Sequence, residues 1–306
     1  MGKLVLGRLA QAVIAMLAIT IIVFVLIRMA GDPTSVMLPL NAQPEDQERL
    51  REELGLNKPY IRQYLIFLGN AFQGDFGTSI RLRQPALEAA LDSFPATLQL
   101  AGISIAGLIL IAIPLGVYAA LKRGTPVDWL IRFVSLLGNS FPSFWLGLVL
   151  MLIFAVWLQW LPPGGKGSWK QLILPSLTLS WYLAGPLVRV VRGSMLEVLG
   201  RDYIRTARSK GLHEETVLWR HAFRSALLPI TTYAGVIFLR LISGAVVVET
   251  LFGWPGLGRA VVTSINFRDY PMVQTIVMLL GLIVILGNLV IDLAYYYIDP
   301  RLRRAS

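Results

Sequence analysis

The chain has 306 residues, 55% hydrophobic and only 15% charged, with a mean hydropathy of +0.63; soluble domains carry about 25% charged residues, so an ordinary water-soluble enzyme is excluded. Its net charge of +10 comes from basic residues set between apolar runs, where they act as topology signals rather than as a nucleic-acid-binding stripe. With no cysteine and two histidines, disulfides, thiolate metal sites and a Cys nucleophile are ruled out, and imidazole catalysis has little to work with.

A bilayer core about 30 Å thick needs about 20 apolar helical residues. Six runs meet that need and predict an all-α membrane protein with transmembrane helices near 9–29, 95–121, 131–158, 172–191, 228–249 and 271–293. Lys3 and Arg8 precede the first run as in a signal peptide. The run is longer than an h-region of about 7–15 residues and no Ala-x-Ala site follows it, so it reads as a retained helix.

The 30–94 segment has helical content of its own. Pro44 followed by Glu45 and Asp46 starts a short helix to Leu54, with Gly55 as its C-cap. Tyr60, Ile61, Tyr64, Leu65, Leu68 and Phe72 then recur at helical spacing, and Gly74 and Gly77 punctuate the end. Such an amphipathic segment is either a cap on an outer mouth or a docking surface for an extracytoplasmic partner.

In the second run, Gly102 and Ala106 form a small-xxx-small pair compatible with close helix packing. Pro114, Pro142 and Pro186 fall inside spans, where neighbouring helices can satisfy the freed backbone groups. Arg240 sits near the middle of the fifth span, Glu249 at its outer end and Asp292 near the inner end of the sixth. The two acids read as interfacial, whereas Arg240 is too deep for that.

An even number of spans puts both termini on one side. The terminal segments and the loops beginning at Lys122 and Arg189 hold sixteen Lys and Arg, against four in the two short loops opposite. That bias places both termini in the cytoplasm and the 30–94 loop outside.

The stretch from Arg192 to Leu212 is the most informative. Tyr203, Ile204 and Ala207 are expected on one helical face, with Asp202, Arg205, Arg208 and Lys210 around the rest, and Gly211 breaks the helix. A short amphipathic helix of this kind can transmit force from a soluble partner, or lie as a basic loop on anionic headgroups. Enzyme motifs fail: His213-Glu214 is followed by Val217 where a second zinc ligand would stand, and Gly164–Ser168 lacks phosphate-loop spacing. No G-x-S-x-G elbow exists.

With these residues the chain resembles the integral permease subunits of binding-protein-dependent ABC importers, and within them the B-type subunit of the dipeptide, oligopeptide, glutathione and nickel group. The likeness is carried by GDP (Gly31–Pro33), LGLNKP (Leu54–Pro59), GDFGTS (Gly74–Ser79) and FPATLQL (Phe94–Leu100). It continues through SMLEVLGRDYIRTARSKGL (Ser194–Leu212), ETLFGWPGLGR (Glu249–Arg259), RDYP (Arg268–Pro271) and DPRLR (Asp299–Arg303).

The resemblance implies one permease domain over 1–306, with the type I ABC importer permease fold, in a bacterial cytoplasmic membrane. It implies an ATPase-coupling loop at 193–226, carried by Asp202, Tyr203, Ile204, Arg205, Thr206, Ala207, Arg208, Lys210 and Gly211. Importers of this broad class carry Glu-Ala-Ala-x-x-x-Gly there; Arg205, Thr206, Ala207 and Gly211 occupy the matching positions, and Ala207 and Gly211 agree with it. The implied partners are a second homologous permease, two ABC ATPase subunits, an extracytoplasmic solute-binding protein and membrane lipid, with no nucleic acid. This chain would hold no cofactor, ATP and Mg being bound by the ATPases. Short peptides are the expected cargo, with a nickel chelate, glutathione or another small solute as alternatives. Arg240 is expected to line the translocation pathway or to face the second permease. A competing reading is an ion-coupled secondary transporter using Arg240, Glu249 and Asp292 as a relay, which would be expected to show internal repeats; none is evident.

Overall fold

Backbone groups in hydrocarbon have no water to bond, so apolar runs of this length close their own hydrogen bonds as helices. The computed structural model describes residues 2–29, 34, 38, 43–53 and 55–298. Leu54 and the Gly31–Pro33 and Asp299–Arg303 motifs lie outside the described residues, as does the side chain of Asp292.

In chain order the helices are α1 (Gly2–Met29), α2 (Pro44–Glu53), α3 (Tyr60–Phe72), α4 (Ala86–Leu121), α5 (Pro126–Ser140) and α6 (Ser143–Met151), which continues as a π-helical segment, Leu152–Trp157. There follow α7 (Lys170–Leu199), α8 (Asp202–Ser209), the single turn α9 (Glu214–Thr216), a second π-helical segment (Val217–Phe223), α10 (Arg224–Leu251), α11 (Leu257–Asn266) and α12 (Tyr270–Ile298). Five of the described helices are long and apolar enough to cross a membrane, and α5 with α6 makes a sixth if the bent pair is one span.

That pair departs from the sequence expectation. The third apolar run is not one straight helix but breaks at Phe141-Pro142, where the two pieces bend by 101°. Proline has no N–H to donate and disfavours a helical residue before it, and Phe141 is accordingly extended at φ −103° and ψ 146°. Pro114 and Pro186 do sit inside α4 and α7.

The chain divides into two units. One comprises Met1–Thr97 and Pro255–Leu289. Within it α3 lies on α1: the Tyr64 ring meets Phe24 edge-on at 5.4 Å, and the Tyr64 and Thr20 hydroxyls are hydrogen-bonded at 2.8 Å. Arg28 donates to Gln63 at 2.9 Å, and Gln63 in turn donates to the carbonyls of Leu56 and Lys58. Val23 and Ile27 of α1 bury against Tyr270 of α12.

Two pairs of distant motifs meet in this unit. Asp269 is buried, and its carboxylate accepts from the Ser79 hydroxyl and from the backbone N–H groups of Ile80 and Arg81. The GDFGTS motif is thereby pinned to RDYP at the start of α12. Thr97 of FPATLQL likewise accepts from the Leu257 N–H at the start of α11, at 2.8 Å.

The other unit comprises Leu98–Trp254 and Val290–Ala305, and α7 is its central helix, packed by α5, α6 and α10. Small residues set the spacing. A Cβ on Gly185 of α7 would stand 2.1 Å from the Ser135 carbonyl oxygen of α5, and one on Gly116 of α4 would stand 2.6 Å from Val191. The small-residue contact on α4 is not the expected Gly102–Ala106 pair. Both of those residues are exposed, with nothing within 4 Å of a Cβ on Gly102. Gly107 and the buried Ser104 approach α7 instead, and the Ser180 hydroxyl donates to the Ser104 carbonyl at 2.8 Å. Arg192 grips Asp128 through two 2.8 Å hydrogen bonds and joins the end of α7 to the start of α5. Paired charges of this kind escape the penalty of a buried lone ion.

Candidate functional site

Helix α8 begins where Arg201 is extended at φ −78° and ψ 148°, and Asp202 supplies a negative charge to its first turn. Arg208 stands in the last turn, so both charges suit the helix dipole. The stop is Gly211, whose φ of +73° places it in the left-handed region that glycine enters without strain.

Only Ile204 and Ala207 of α8 are buried, at 0% and 7% exposure. The helix packs on the π-helical segment that leads into α10, whose own buried residues are Val217, Leu218 and Ala222. Tyr203 was expected beside them and is instead 42% exposed. A spacing of three, as between Ile204 and Ala207, keeps residues on one face. Tyr203 shares a face with Ala207, four residues on, but stands at the edge of that face, turned about 100° from Ile204, and is only partly covered. Ile204 and Ala207 therefore anchor α8 to its own chain.

Asp202, Tyr203, Arg205, Thr206 and Lys210 are all exposed. Arg208 is tied down by a two-point contact with Glu214, with Nε donating at 3.1 Å. Hydrogen bonding to Glu214 and to Glu197 raises the pKa of the Arg208 and Arg201 guanidinium groups above the ordinary arginine value, so both charges are permanent. The Arg205–Asp202 contact, 3.8 Å between highly exposed side chains, contributes little.

Arg240 lies about midway along α10 and lines a cavity of about 530 Å³ bounded by α6, α7 and α10. Tyr233, Ile237, Arg240, Gly244 and Val247 form one stripe on α10, and Tyr182, Pro186 and Arg189 a matching stripe on α7. A guanidinium at a bilayer centre, where the sequence places Arg240, costs about 3 kcal/mol without compensation. In the sequence Arg189 counts as the end of an apolar run and the first basic residue of the loop that follows; the signal that could have placed it at a cavity is Tyr-x6-Arg, repeated in both spans. Glu249, expected at the membrane interface at the outer end of the fifth span, is buried against the rest of the chain.

The chain as a whole has counterparts among known proteins. Residues 112–304 match the family model described as binding-protein-dependent transport system inner membrane component, and residues 1–101 match its N-terminal companion. The chain belongs to this family. It is accordingly a multi-pass inner membrane permease component and not an ATPase. This permease is 40% identical over 314 residues to the oligopeptide transport system permease protein AppB of Bacillus subtilis, with 99% of both chains covered. It is 39% identical over 300 residues to the glutathione transport system permease protein GsiC of Escherichia coli, with 98% of each covered. Its fold is similar to that of the inward-facing MetNI methionine ABC transporter, with a TM-score of 0.58 at 18% identity over 69% of this permease and 96% of that chain.

Proposed function

We propose that this chain is one of two pore-forming permeases in an ATP-driven importer of short peptides, and that α8 and Gly211 dock on an ATPase subunit. The observation that carries the docking role is the construction of α8. A short helix seated on its own chain by Ile204 and Ala207 presents Asp202, Tyr203, Arg205, Thr206 and Lys210 outward, packed on the π-helical segment that continues into α10. Force applied to that face is passed to a span rather than lost in a loop.

The peptide cargo rests on the likeness to peptide and glutathione permeases across almost the whole chain. The importer needs a second permease, two ATPases that bind ATP and Mg, and an external solute-binding protein to deliver cargo. Arg240 belongs to the translocation pathway in this account, since it opens onto a cavity in the described residues and not only onto lipid.

Sidedness follows from the sixteen-to-four bias of basic residues. The termini and the 193–226 loop are cytoplasmic, and 30–94 is external. Ser209 and Thr78 are both exposed, so single cysteines introduced there in this cysteine-free chain should react with a membrane-impermeant maleimide from opposite faces of sealed vesicles. Reaction of both from one face would overturn the topology.

A further inference from the structure

Two matched stripes of side chains face the cavity between α7 and α10. On α7 Tyr182 and Arg189 are seven residues apart, and on α10 Tyr233 and Arg240 are seven apart. Seven residues make nearly two turns, so each tyrosine and its arginine share a face and stand about 10 Å apart along the axis.

Successive spans run in opposite directions. The tyrosine-to-arginine order on α7 is therefore reversed on α10, and with Arg189 nineteen residues from Lys170 and Arg240 eleven from Leu251 the two cations fall at different depths. Among the described residues neither Arg189 nor Arg240 has a hydrogen-bond or ion-pair partner, and no acidic residue lines the cavity. The contrast with Arg192 is informative, because three residues further along α7 that guanidinium is held by Asp128 at two points. A chain able to neutralise one arginine of α7 has left another open onto a cavity.

We infer that Arg189 and Arg240, each assisted by a tyrosine hydroxyl, form a two-level carboxylate-binding subsite for the peptide in transit. A planar guanidinium takes a carboxylate through two parallel hydrogen bonds, and a phenol supplies a further donor. Two cations at separate depths let a peptide carboxylate pass from one to the other without either holding it tightly enough to stop release. Their joint field favours peptides rich in carboxylate and opposes those rich in ammonium. The inference rests on the proposed importer role and specifies which cargo groups the pathway recognises.

The test uses the complete complex in proteoliposomes with its own binding protein. Uptake of a glutamyl dipeptide and a lysyl dipeptide is compared for wild type, Arg189→Gln, Arg240→Gln and the two Arg→Lys variants. Dividing each variant's uptake by that of wild type for the same cargo removes the preference of the binding protein. The expected result is that each Gln variant copurifies with its ATPases and that its glutamyl-to-lysyl uptake ratio falls about tenfold, the size of losing one charged hydrogen-bonding contact. The Lys variants, which keep the charge but lose the paired hydrogen bonds, should recover only part of that ratio. An unchanged ratio in assembled Gln variants overturns the inference and leaves the importer role standing. Loss of ATPase copurification in the Gln variants also overturns it, since that marks a structural pair with an acid of the second permease. Absence of ATP-dependent uptake of either dipeptide by wild type counts against the importer role itself.

Discussion

Gly185→Ala should destabilise the permease severely, whereas Gly102→Ala should leave it unchanged or slightly more stable. Both glycines are helical, and intrinsic preference favours alanine over glycine in a helix by about 1 kcal/mol. What differs is the space. A Cβ at Gly185 would come within 2.1 Å of a backbone oxygen on α5, which no rotamer change can relieve, and one at Gly102 would meet nothing within 4 Å. Overpacking costs about 1–3 kcal/mol where neighbours can move and more where they cannot. The α5–α7 contact must therefore spread, at a cost of about 3 kcal/mol or more, and the Arg192–Asp128 pair that joins the same two helices is strained with it. Thermal aggregation midpoints of the purified complex in detergent measure the difference. Equal midpoints for the two variants would contradict the packing described.

The second large effect is expected at Gly211. Its φ of +73° with nothing within 4 Å of a Cβ means that any substitution there is felt through the backbone alone. The left-handed conformation costs an ordinary residue about 1–2 kcal/mol, and a β-branched one most of all, while asparagine tolerates it. Gly211→Val should therefore cut ATP hydrolysis stimulated by cargo-loaded binding protein about tenfold, with assembly retained, and Gly211→Asn should lose no more than about twofold. If valine and asparagine behave alike, the conformation at residue 211 does not matter to coupling.

The spans were legible because a membrane demands long uncharged helices, and that demand is written directly in the residue order. Its local exceptions were harder to read. Pro142 could have been absorbed inside a span, as Pro114 and Pro186 are, and only the absence of a continuing helix at Phe141 distinguishes it. Periodicity identified α8 and its glycine stop, but it could not say which side of an eight-residue helix is covered by its own chain. Tyr203 is as apolar in pattern as Ile204, yet it is exposed.

Small residues mark possible close approaches without naming the partner, so Gly102 and Ala106 carry the pattern although Ser104 and Gly107 make the contact with α7. Arg189 was hidden by its place at the edge of an apolar run. Its membership of a cavity depends on which face α7 turns to α10, a property of packing and not of order. The carboxylate of Asp269 likewise collects donors almost two hundred positions away, at residues 79–81.

In the proposed importer the outward face of α8 contacts an ATPase subunit. The direct measurement is a site-specific cross-link from a single cysteine at Arg205, which is exposed and which no buried contact requires. With a short homobifunctional maleimide, and with cysteines placed in turn across the permease-facing surface of the ATPase, Arg205→Cys should join to that subunit in the assembled complex. A cysteine at the equally exposed Asp75 should not. Formation of the first product and not the second is the predicted result. No ATPase cross-link from position 205 in a complex that copurifies intact would contradict the account.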